Sequence, residues 1–210
     1  MNAQGEATVF IVDDDPAARR LIAALVRAKQ VRAETYASAE EFLGAYDGSP
    51  GCLVTDLRMK GMTGLELQQL LKTKGIKLPV IVVTAFADVP TAVTVMKAGA
   101  VGFLEKPWRG EELWSSIKTG LDIARLRRQQ EERQADIQQR ISQLTPDETR
   151  VLNELVAGKP NKLIATELDI GLRTVELRRS NIFKKMKAES LAELVQMVLL
   201  ARHDDANQHV

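Results

Sequence analysis

The sequence predicts a doubly wound α/β domain with a five-stranded parallel sheet, joined by a long helical linker to a small all-α domain. Between residues 8 and 124, short apolar runs rich in β-branched and aromatic residues alternate with helical patterns, which is typical of buried parallel strands. Beyond Gly120 the helical pattern continues without glycine or proline as far as residue 145. The clearest apolar runs cover residues 9–12, 53–55, 80–83 and 101–104.

The composition is that of an ordinary globular protein, with 210 residues, of which 45% are hydrophobic and 27% charged. This length suffices for one large domain or two small ones. The single cysteine, Cys52, excludes a disulfide framework. The N-terminus lacks a basic segment followed by an apolar stretch, and no apolar run approaches the ~20 residues that span a bilayer. We therefore expect a cytoplasmic protein with no membrane partner.

Capping residues support the individual helices. Pro16 suits the first turn of the helix after the first strand, and Ser38 with Glu41 predicts a capping box at the start of the second helix. The fourth helix, over residues 89–98, is expected to stop at Gly99.

The fifth helical pattern runs into a polar segment, residues 124–143, which is rich in the helix formers Gln, Arg and Glu. We interpret this segment as a linker helix that is able to pair with a partner, and a flexible linker is the alternative. The second domain covers residues 144–202, where Thr145 and Glu148 predict another capping box. Its four helices are predicted over residues 146–157, 161–168, 174–187 and 190–202.

Five polar side chains stand at or just past the ends of apolar runs: Asp13, Asp14, Asp56, Thr84 and Lys106. Because the C-terminal ends of parallel strands share one edge of a sheet, where ligands bind in open α/β folds, we expect these side chains to converge. Adjacent carboxylates repel unless a cation lies between them, and hard oxygen ligands suit Mg²⁺. A carboxylate can attack phosphorus, and an ammonium neutralises phosphoryl oxygens. The set therefore suits a metal ion and a phosphoryl group.

Residues 8–123 resemble the receiver domain of bacterial two-component response regulators. The resemblance implies a flavodoxin-like fold in which a sensor histidine kinase, or a small phosphodonor, phosphorylates Asp56 with the help of Lys106 and Thr84. The matching residues are Asp13-Asp14, Thr55-Asp56-Leu57-Arg58-Met59, Gly64, Thr84-Ala85, Ala98-Gly99-Ala100 and Lys106-Pro107.

The same resemblance implies a Mg²⁺ ion as cofactor. Asp14, Asp56 and the backbone carbonyl of Arg58 would ligate it directly, and Asp13 would act through water. Thr84 and Phe103 would form a switch pair that moves inward when the phosphoryl group forms.

Two residues depart from the pattern of that family. Lys60 stands where relatives often have proline, which is expected to loosen the loop. Phe86, two residues after Thr84, is apolar where relatives often have a polar group. Our hypothesis is that Phe86 and Arg58 shield the acyl phosphate from water.

A phosphatase of the haloacid dehalogenase type is a rival interpretation, because Asp13-Asp14-Asp15 also contains an Asp-x-Asp motif after the first strand. In those enzymes the first aspartate is the nucleophile, and threonine or glycine usually follows the motif. Pro16 follows it here, and this interpretation leaves Asp56 without a role.

The second domain carries a basic segment, since residues 173–187 include six basic residues and one acid. Such a segment suits nucleic-acid binding or, alternatively, a solvated helix face. Residues 161–180 show a helix-turn-helix pattern, and residues 144–202 resemble the LuxR-type DNA-binding domain. A receiver, a helical linker and this domain together are typical of response regulators of the FixJ type. The matching residues are Leu144-Thr145, Gly158-Lys159, Asn161-Lys162, Ile164-Ala165, Arg173-Thr174-Val175-Glu176 and Lys185-Met186.

Helical periodicity divides the predicted recognition helix into two faces. The inward face holds Val175, Ile182, Phe183 and Met186, and Arg179 beside it is expected to form a structural ion pair. On the outer face, Glu176, Leu177 and Ser180 are candidates for base contacts. Candidates for the remaining DNA contacts, mainly to phosphates, are Lys162, Arg173, Thr174, Asn181 and Lys184.

These observations and the two resemblances predict a transcription regulator in which phosphorylation of Asp56 promotes dimerisation and binding to double-stranded DNA. The resemblance to receiver domains alone implies that the surface of residues 89–108 is the dimer face. RNA polymerase is a further candidate partner. We do not expect an enzyme, although a receiver catalyses its own phosphotransfer and autodephosphorylation. One alternative is an unphosphorylated receiver-type interaction protein with constitutive DNA binding. Another is an RNA-binding antiterminator, whose output helices would lack this helix-turn-helix motif.

Overall fold

The computed structural model describes residues 7–202, and the chain divides into two compact units, Met1–Arg128 and Gln129–Val210. The first unit contains one parallel sheet with the strand order β2-β1-β3-β4-β5. The strands are β1 (Thr8–Val12), β2 (Arg32–Tyr36), β3 (Gly51–Asp56), β4 (Val80–Thr84) and β5 (Gly102–Glu105).

Helices cover both faces of this sheet, which confirms the predicted doubly wound fold. Successive residues of a strand point to opposite faces. Val9 and Ile11 pack with α1 and with the first turns of α5, whereas Phe10 and Val12 pack with α2, α3 and α4. The helices are α1 (Pro16–Ala28), α2 (Ala39–Ala45), α3 (Gly64–Thr73), α4 (Val89–Lys97) and α5 (Gly110–Ser142).

The caps of the helices follow the sequence, with one difference. Ser38 Oγ accepts a hydrogen bond from the Glu41 amide at 3.2 Å, as a capping box requires. The carboxylate of Glu41, however, accepts from the amide of Ala37 at 2.6 Å rather than from that of Ser38. The predicted stop of α4 is confirmed, because Gly99 adopts a left-handed φ of 104° just after the helix.

The second unit is helical, as predicted, and one hydrophobic core joins its helices. The capping box of Thr145 and Glu148 is complete. The expected inward face of the recognition helix is confirmed, since Val175, Ile182 and Met186 are fully buried. The helices that follow α5 are α6 (Pro146–Val156), α7 (Asn161–Glu167), α8 (Leu172–Met186) and α9 (Leu191–Arg202).

The recognition helix α8 begins at Leu172, two residues before the predicted start. The extended backbone of Gly171 occupies the N-cap position, with no side-chain hydrogen bond to the helix. Glycine is an acceptable N-cap residue, although it has no side-chain oxygen to accept from the amides of the first turn. No helix within residues 7–202 is long and apolar enough to cross a membrane.

One buried side chain of the first unit is incompletely hydrogen-bonded. Gln68 in α3 is 4% exposed, and its Nε2 donates to the carbonyl of Val95 in α4 at 3.5 Å. Its Oε1 is buried without a hydrogen-bond partner among the described residues. An unsatisfied buried acceptor costs about 1–3 kcal/mol. The Val95 carbonyl does not depend on Gln68 for a partner, because it also accepts from the amide of Ala100.

We therefore predict that Gln68→Leu raises the free energy of unfolding of the first unit by about 1 kcal/mol, because it removes the unsatisfied oxygen. Urea denaturation followed by tryptophan fluorescence measures this unit, since both tryptophans, Trp108 and Trp114, lie in it. Gln69→Leu, at the exposed neighbouring position, is the control and should shift stability by less than about 0.5 kcal/mol. A Gln68→Leu variant that unfolds at lower urea than the unchanged chain would contradict the prediction.

Candidate functional site

The sheet register brings the predicted polar residues to one edge. Val12 is aligned with Thr55, so the residues that follow, Asp13 and Asp56, leave adjacent strands at the same level. Thr84 ends β4, aligned with Glu105 of β5, and Lys106 comes directly after that strand. The amide of Lys106 donates to the carbonyl of Thr84 at 2.7 Å. The predicted convergence is therefore present in the fold.

Lys106 joins two of the three acids. Its Nζ lies 2.7 Å from Asp13 Oδ2 and 2.9 Å from Asp56 Oδ1. Asp13 is 2% exposed and Asp56 is 7% exposed, so this ammonium compensates two carboxylates that are almost removed from water. The site is thus a small cationic bridge between acids at the end of the sheet.

Burial and charge oppose each other at this bridge. Burial raises the pKa of Asp56 above its ordinary value, although the hydrogen bond and charge of Lys106 act in the opposite direction. Burial disfavours the Lys106 ammonium, yet its hydrogen bonds to Asp13 and Asp56 outweigh this effect and raise its pKa. Lys106 therefore stays charged at neutral pH, as the neutralisation of an anionic group requires.

Backbone contacts fix the Asp56 carboxylate. The amide of Arg58 donates to Asp56 Oδ2 at 2.8 Å, while Lys106 holds the other oxygen. Gly64, at the start of α3, lies so close that a Cβ there would come within 2.2 Å of the Asp56 carbonyl. Any side chain at position 64 would therefore displace the end of β3, which carries Asp56.

Asp14 lies outside this bridge. It is exposed, and its Oδ2 accepts from the amide of Lys60 at 3.3 Å. A proline at position 60 would have no amide hydrogen to donate. Lys60 therefore ties its loop to Asp14. We had expected the replacement of proline by Lys60 to loosen this loop.

The donor chemistry at this edge fits a hard divalent cation. Asp13, Asp14 and Asp56 offer carboxylate oxygens, and Arg58 offers a backbone carbonyl, which is the kind of ligand that Mg²⁺ takes. Within residues 7–202, no three acidic, histidine or cysteine side chains are grouped so that they could hold a metal ion. Lys106 binds the oxygens of Asp13 and Asp56, so a cation would compete with it for them.

One predicted switch residue is fully buried and the other is partly buried. Thr84 is fully buried, and its Oγ1 accepts from the Phe86 amide at 3.1 Å. Phe103 is partly buried and packs against the core below α3 and α4.

Arg58 and Phe86 are in contact. The guanidinium carbon of Arg58 lies 4.3 Å from the centre of the Phe86 ring, an arrangement that is attractive because of the ring quadrupole. Phe86 is 57% exposed, so the pair stands at the surface beside Asp56. This contact is the one that the shielding hypothesis needs.

Two contacts around the site were not predicted. A guanidinium nitrogen of Arg19 in α1 donates to the carbonyl of Asp13. The Oε1 of Glu40 in α2 accepts from the amide of Met62 at 3.0 Å. In both contacts the side chain binds a backbone group that lies outside its own helix. A sequence pattern carries no signal for such a hydrogen bond.

The candidate DNA contacts lie in the second unit. Leu177 is 62% exposed, and Thr174 is half-buried at the start of α8. The other candidates are exposed: Lys162, Arg173, Glu176, Ser180, Asn181 and Lys184. With the apolar side of α8 buried, this polar side is available to a ligand.

The expected ion pair of Arg179 is not present among the described residues. Its Nη1 instead donates to the amide oxygen of Asn161 at 3.0 Å, and its guanidinium lies over the Phe183 ring. The neighbouring Arg178 pairs with Asp147 of α6. The prediction was wrong by one residue because α8 packs against two helices, and sequence periodicity does not show which arginine faces an acid.

Family comparisons agree with this geometry in both units. Residues 9–118 match the response regulator receiver domain family, and residues 142–198 match the LuxR family of bacterial regulatory proteins. The chain belongs to the response regulators, with a receiver domain and a LuxR-type DNA-binding domain. A protein with these two domains is a transcription regulator rather than a conventional enzyme.

Individual relatives support the same assignment over most of the length of this response regulator. It is 43% identical over 196 residues to the transcriptional regulatory protein FixJ of Azorhizobium caulinodans, covering 92% of each chain. A structure of the response regulator StyR has a TM-score of 0.83, with 41% identity over 92% of this chain and 98% of that one. Full-length FixJ of B. japonicum has a TM-score of 0.57 and 38% identity, covering 93% and 97%.

Membership of this family implies partners for the response regulator. A sensor kinase and DNA are the partners that a receiver and a LuxR-type domain imply. Receiver domains also generally bind Mg²⁺, which agrees with the oxygen donors at the sheet edge.

Proposed function

We propose that this response regulator is phosphorylated on Asp56 by a sensor histidine kinase, with Mg²⁺, and that phosphorylation promotes dimerisation and sequence-specific DNA binding. The observation that carries the proposal is the bridge of Lys106 between Asp13 and Asp56 at the C-terminal edge of the sheet. A buried acid pair with one ammonium is suited to accept a phosphoryl group, because phosphoryl transfer needs alignment and neutralised charge more than proton transfer.

In the proposed reaction an Asp56 carboxylate oxygen attacks the phosphorus of the donor. The bond from phosphorus to the donor group breaks, and its electron pair leaves with that group. The Arg58 amide orients the Asp56 carboxylate. Lys106, released from part of its contact with Asp56, neutralises the phosphoryl oxygens, and the hydroxyl of Thr84 donates to one of them.

Asp14, Asp56 and the Arg58 carbonyl would hold Mg²⁺, with Asp13 acting through water. When bound, this ion supplies positive charge to the phosphoryl oxygens. The proposed domain division is a receiver at residues 8–123, a linker helix at 124–143 and a DNA-binding domain at 144–202.

The proposed response begins at Thr84 and Phe103, which move inward together when the phosphoryl group is present. The surface of residues 89–108 is the proposed dimer face. It carries exposed apolar side chains on α4, with Val89 at 77%, Val93 at 46% and Met96 at 46% exposure, and such a patch favours a protein partner. A dimer would present two α8 helices to two DNA half-sites about one helical turn apart.

On DNA, Glu176, Leu177 and Ser180 are proposed to contact bases. Lys162, Arg173, Thr174, Asn181 and Lys184 would position the helix on the phosphates, and RNA polymerase is a proposed further partner. Exposure of the base-contact residues on one side of α8 supports this assignment.

Incubation with Mg²⁺ and acetyl phosphate should add a single phosphoryl group to the unchanged chain and none to Asp56→Asn, as intact-mass spectrometry measures. The asparagine keeps the shape of the side chain but removes the nucleophilic oxygen. An adduct that persists on Asp56→Asn would identify a different nucleophile. No adduct on the unchanged chain, under conditions that label a control receiver, would favour a receiver that acts without phosphorylation.

Phe86→Glu should shorten the lifetime of the acyl phosphate by about tenfold or more, because a carboxylate at this position admits water and can act on it as a base. Release of inorganic phosphate from the purified phosphoprotein measures the lifetime. Phe86→Leu keeps an apolar group beside Arg58 and should change the rate far less. A decay rate of Phe86→Glu equal to that of the unchanged chain would exclude shielding by Phe86.

Base and phosphate contacts should respond differently to mutation. On a duplex that the phosphorylated chain selects from a random library, Glu176→Gln and Ser180→Ala should alter base preference and cost about 1–3 kcal/mol each. Lys184→Ala should weaken binding to all duplexes alike and lower the slope of log K against log salt by about 1. Identical behaviour of the three variants in a fluorescence titration would show that the contact assignment is incorrect.

A further inference from the structure

The C-terminal part of α5 is built into the core of the DNA-binding unit. Ile137 is 2% exposed and belongs to the core that includes Leu144, and Ile141 packs against the same core. Ile137 and Ile141 lie one turn apart on one side of α5, and Leu144 follows just after the end of this helix. This part of α5 is therefore a packed element of the second unit.

Polar side chains of the same segment bind the C-terminal end of α9. The Nε2 of Gln134 donates to the carbonyl of Leu200 at 3.1 Å, and the Nε2 of Gln138 donates to that of Ala201 at 2.8 Å. The last four carbonyls of a helix have no hydrogen-bond donor within the helix. The side-chain amides of Gln134 and Gln138 therefore supply donors for two of these carbonyls of α9.

Arg140 makes the corresponding contact with the recognition helix. Its Nη1 donates to the carbonyl of Met186, the last residue of α8, at 2.9 Å. The positive charge is favourable at this end of a helix because of the helix dipole. Asp136 holds the same guanidinium at 2.5 Å and 3.2 Å, and Arg140 is 22% exposed, so the side chain is fixed on two sides.

A second connection supports the same end of α8. The Nζ of Lys185 donates to the carbonyl of Gln143 at 3.2 Å and lies 2.6 Å from Glu148 Oε2. Glu148 is 5% exposed, and although burial disfavours its charge, the Lys185 hydrogen bond lowers its pKa. The C-terminal end of α8 is therefore held by side chains and backbone of the segment that runs from α5 into α6.

We propose that residues 134–141 of α5 position the recognition helix, and that Arg140 is the positioning residue that sets the placement of α8 on DNA. This inference rests on the proposed DNA contacts of α8. Those contacts extend from Arg173 to Lys184, two residues before Met186. Because a helix moves as a rod, a change at its fixed end displaces its base-contact residues together. A displaced helix keeps its phosphate attraction but loses alignment with base edges.

The test uses the full chain, phosphorylated with acetyl phosphate, and two DNA duplexes of equal length. One is selected by the unchanged chain from a random library, and the other is unrelated in sequence. Arg140→Met keeps most of the aliphatic stem and removes the guanidinium. Arg133→Met is the control, since Arg133 is exposed on the same helix and has no hydrogen bond or ion pair with the described residues.

Arg140→Met should lower affinity for the selected duplex about tenfold, comparable to the loss of one good base contact. Binding to the unrelated duplex and the salt dependence should not change, so the ratio of the two affinities falls. Arg133→Met should leave that ratio unchanged. An equal loss on both duplexes would indicate a structural role or a phosphate contact and would overturn the proposal, as would no loss on either.

If circular dichroism shows that Arg140→Met loses helical structure, the same binding test is made with Arg140→Lys. One ammonium cannot reproduce a planar group that binds Asp136 twice and Met186 once, so the affinity ratio should still fall. An unchanged ratio in a folded Arg140→Lys would overturn the proposal. Two other results would instead overturn the proposed DNA binding and, with it, the positioning role of Arg140. One is that the unchanged chain selects no duplex, and the other is that Glu176→Gln leaves the base preference unchanged.

Discussion

The chemistry of the first unit depends on one interaction, the ammonium of Lys106 between the carboxylates of Asp13 and Asp56. These acids come from adjacent strands, and the lysine follows an edge strand of the sheet. Without the cation, two buried carboxylates would repel each other across a region with little water. The parallel sheet can therefore place two acids side by side only because the connection after β5 returns a positive charge to the same edge.

This arrangement keeps the site responsive to a ligand. Lys106 satisfies the acids by hydrogen bonds, yet an incoming cation or phosphoryl group competes for the same atoms. Burial holds the pKa of Asp56 above its ordinary value, so the carboxylate retains an unfavourable environment that a bound cation relieves. The second unit uses charge differently, because Arg140 and Lys185 hold the end of α8 by contacts that leave its outer face available.

Most of the fold could be predicted from the sequence, because strand and helix patterns have different periods and the caps are local. The strand ends predicted which residues meet, and the structure brings together Asp13, Asp56 and Lys106. The polar pattern around residue 137 predicted a linker helix, whereas the structure shows Ile137 in the core of the second unit. Few apolar residues mark that face, and its other contacts join glutamine and arginine side chains to backbone carbonyls that have no sequence signature.

The sequence by itself determined the parallel α/β sheet, the helix-turn-helix and the residues that gather at the sheet edge, because periodicity and chain order fix these features. Tertiary structure alone decided which of these side chains form ion pairs with one another. It assigned the Lys106 bridge to Asp13 and Asp56 but not to Asp14, and it gave the ion pair to Arg178 instead of Arg179. Such choices depend on distances of a few ångströms between residues far apart in the chain, which packing sets and residue order does not encode locally.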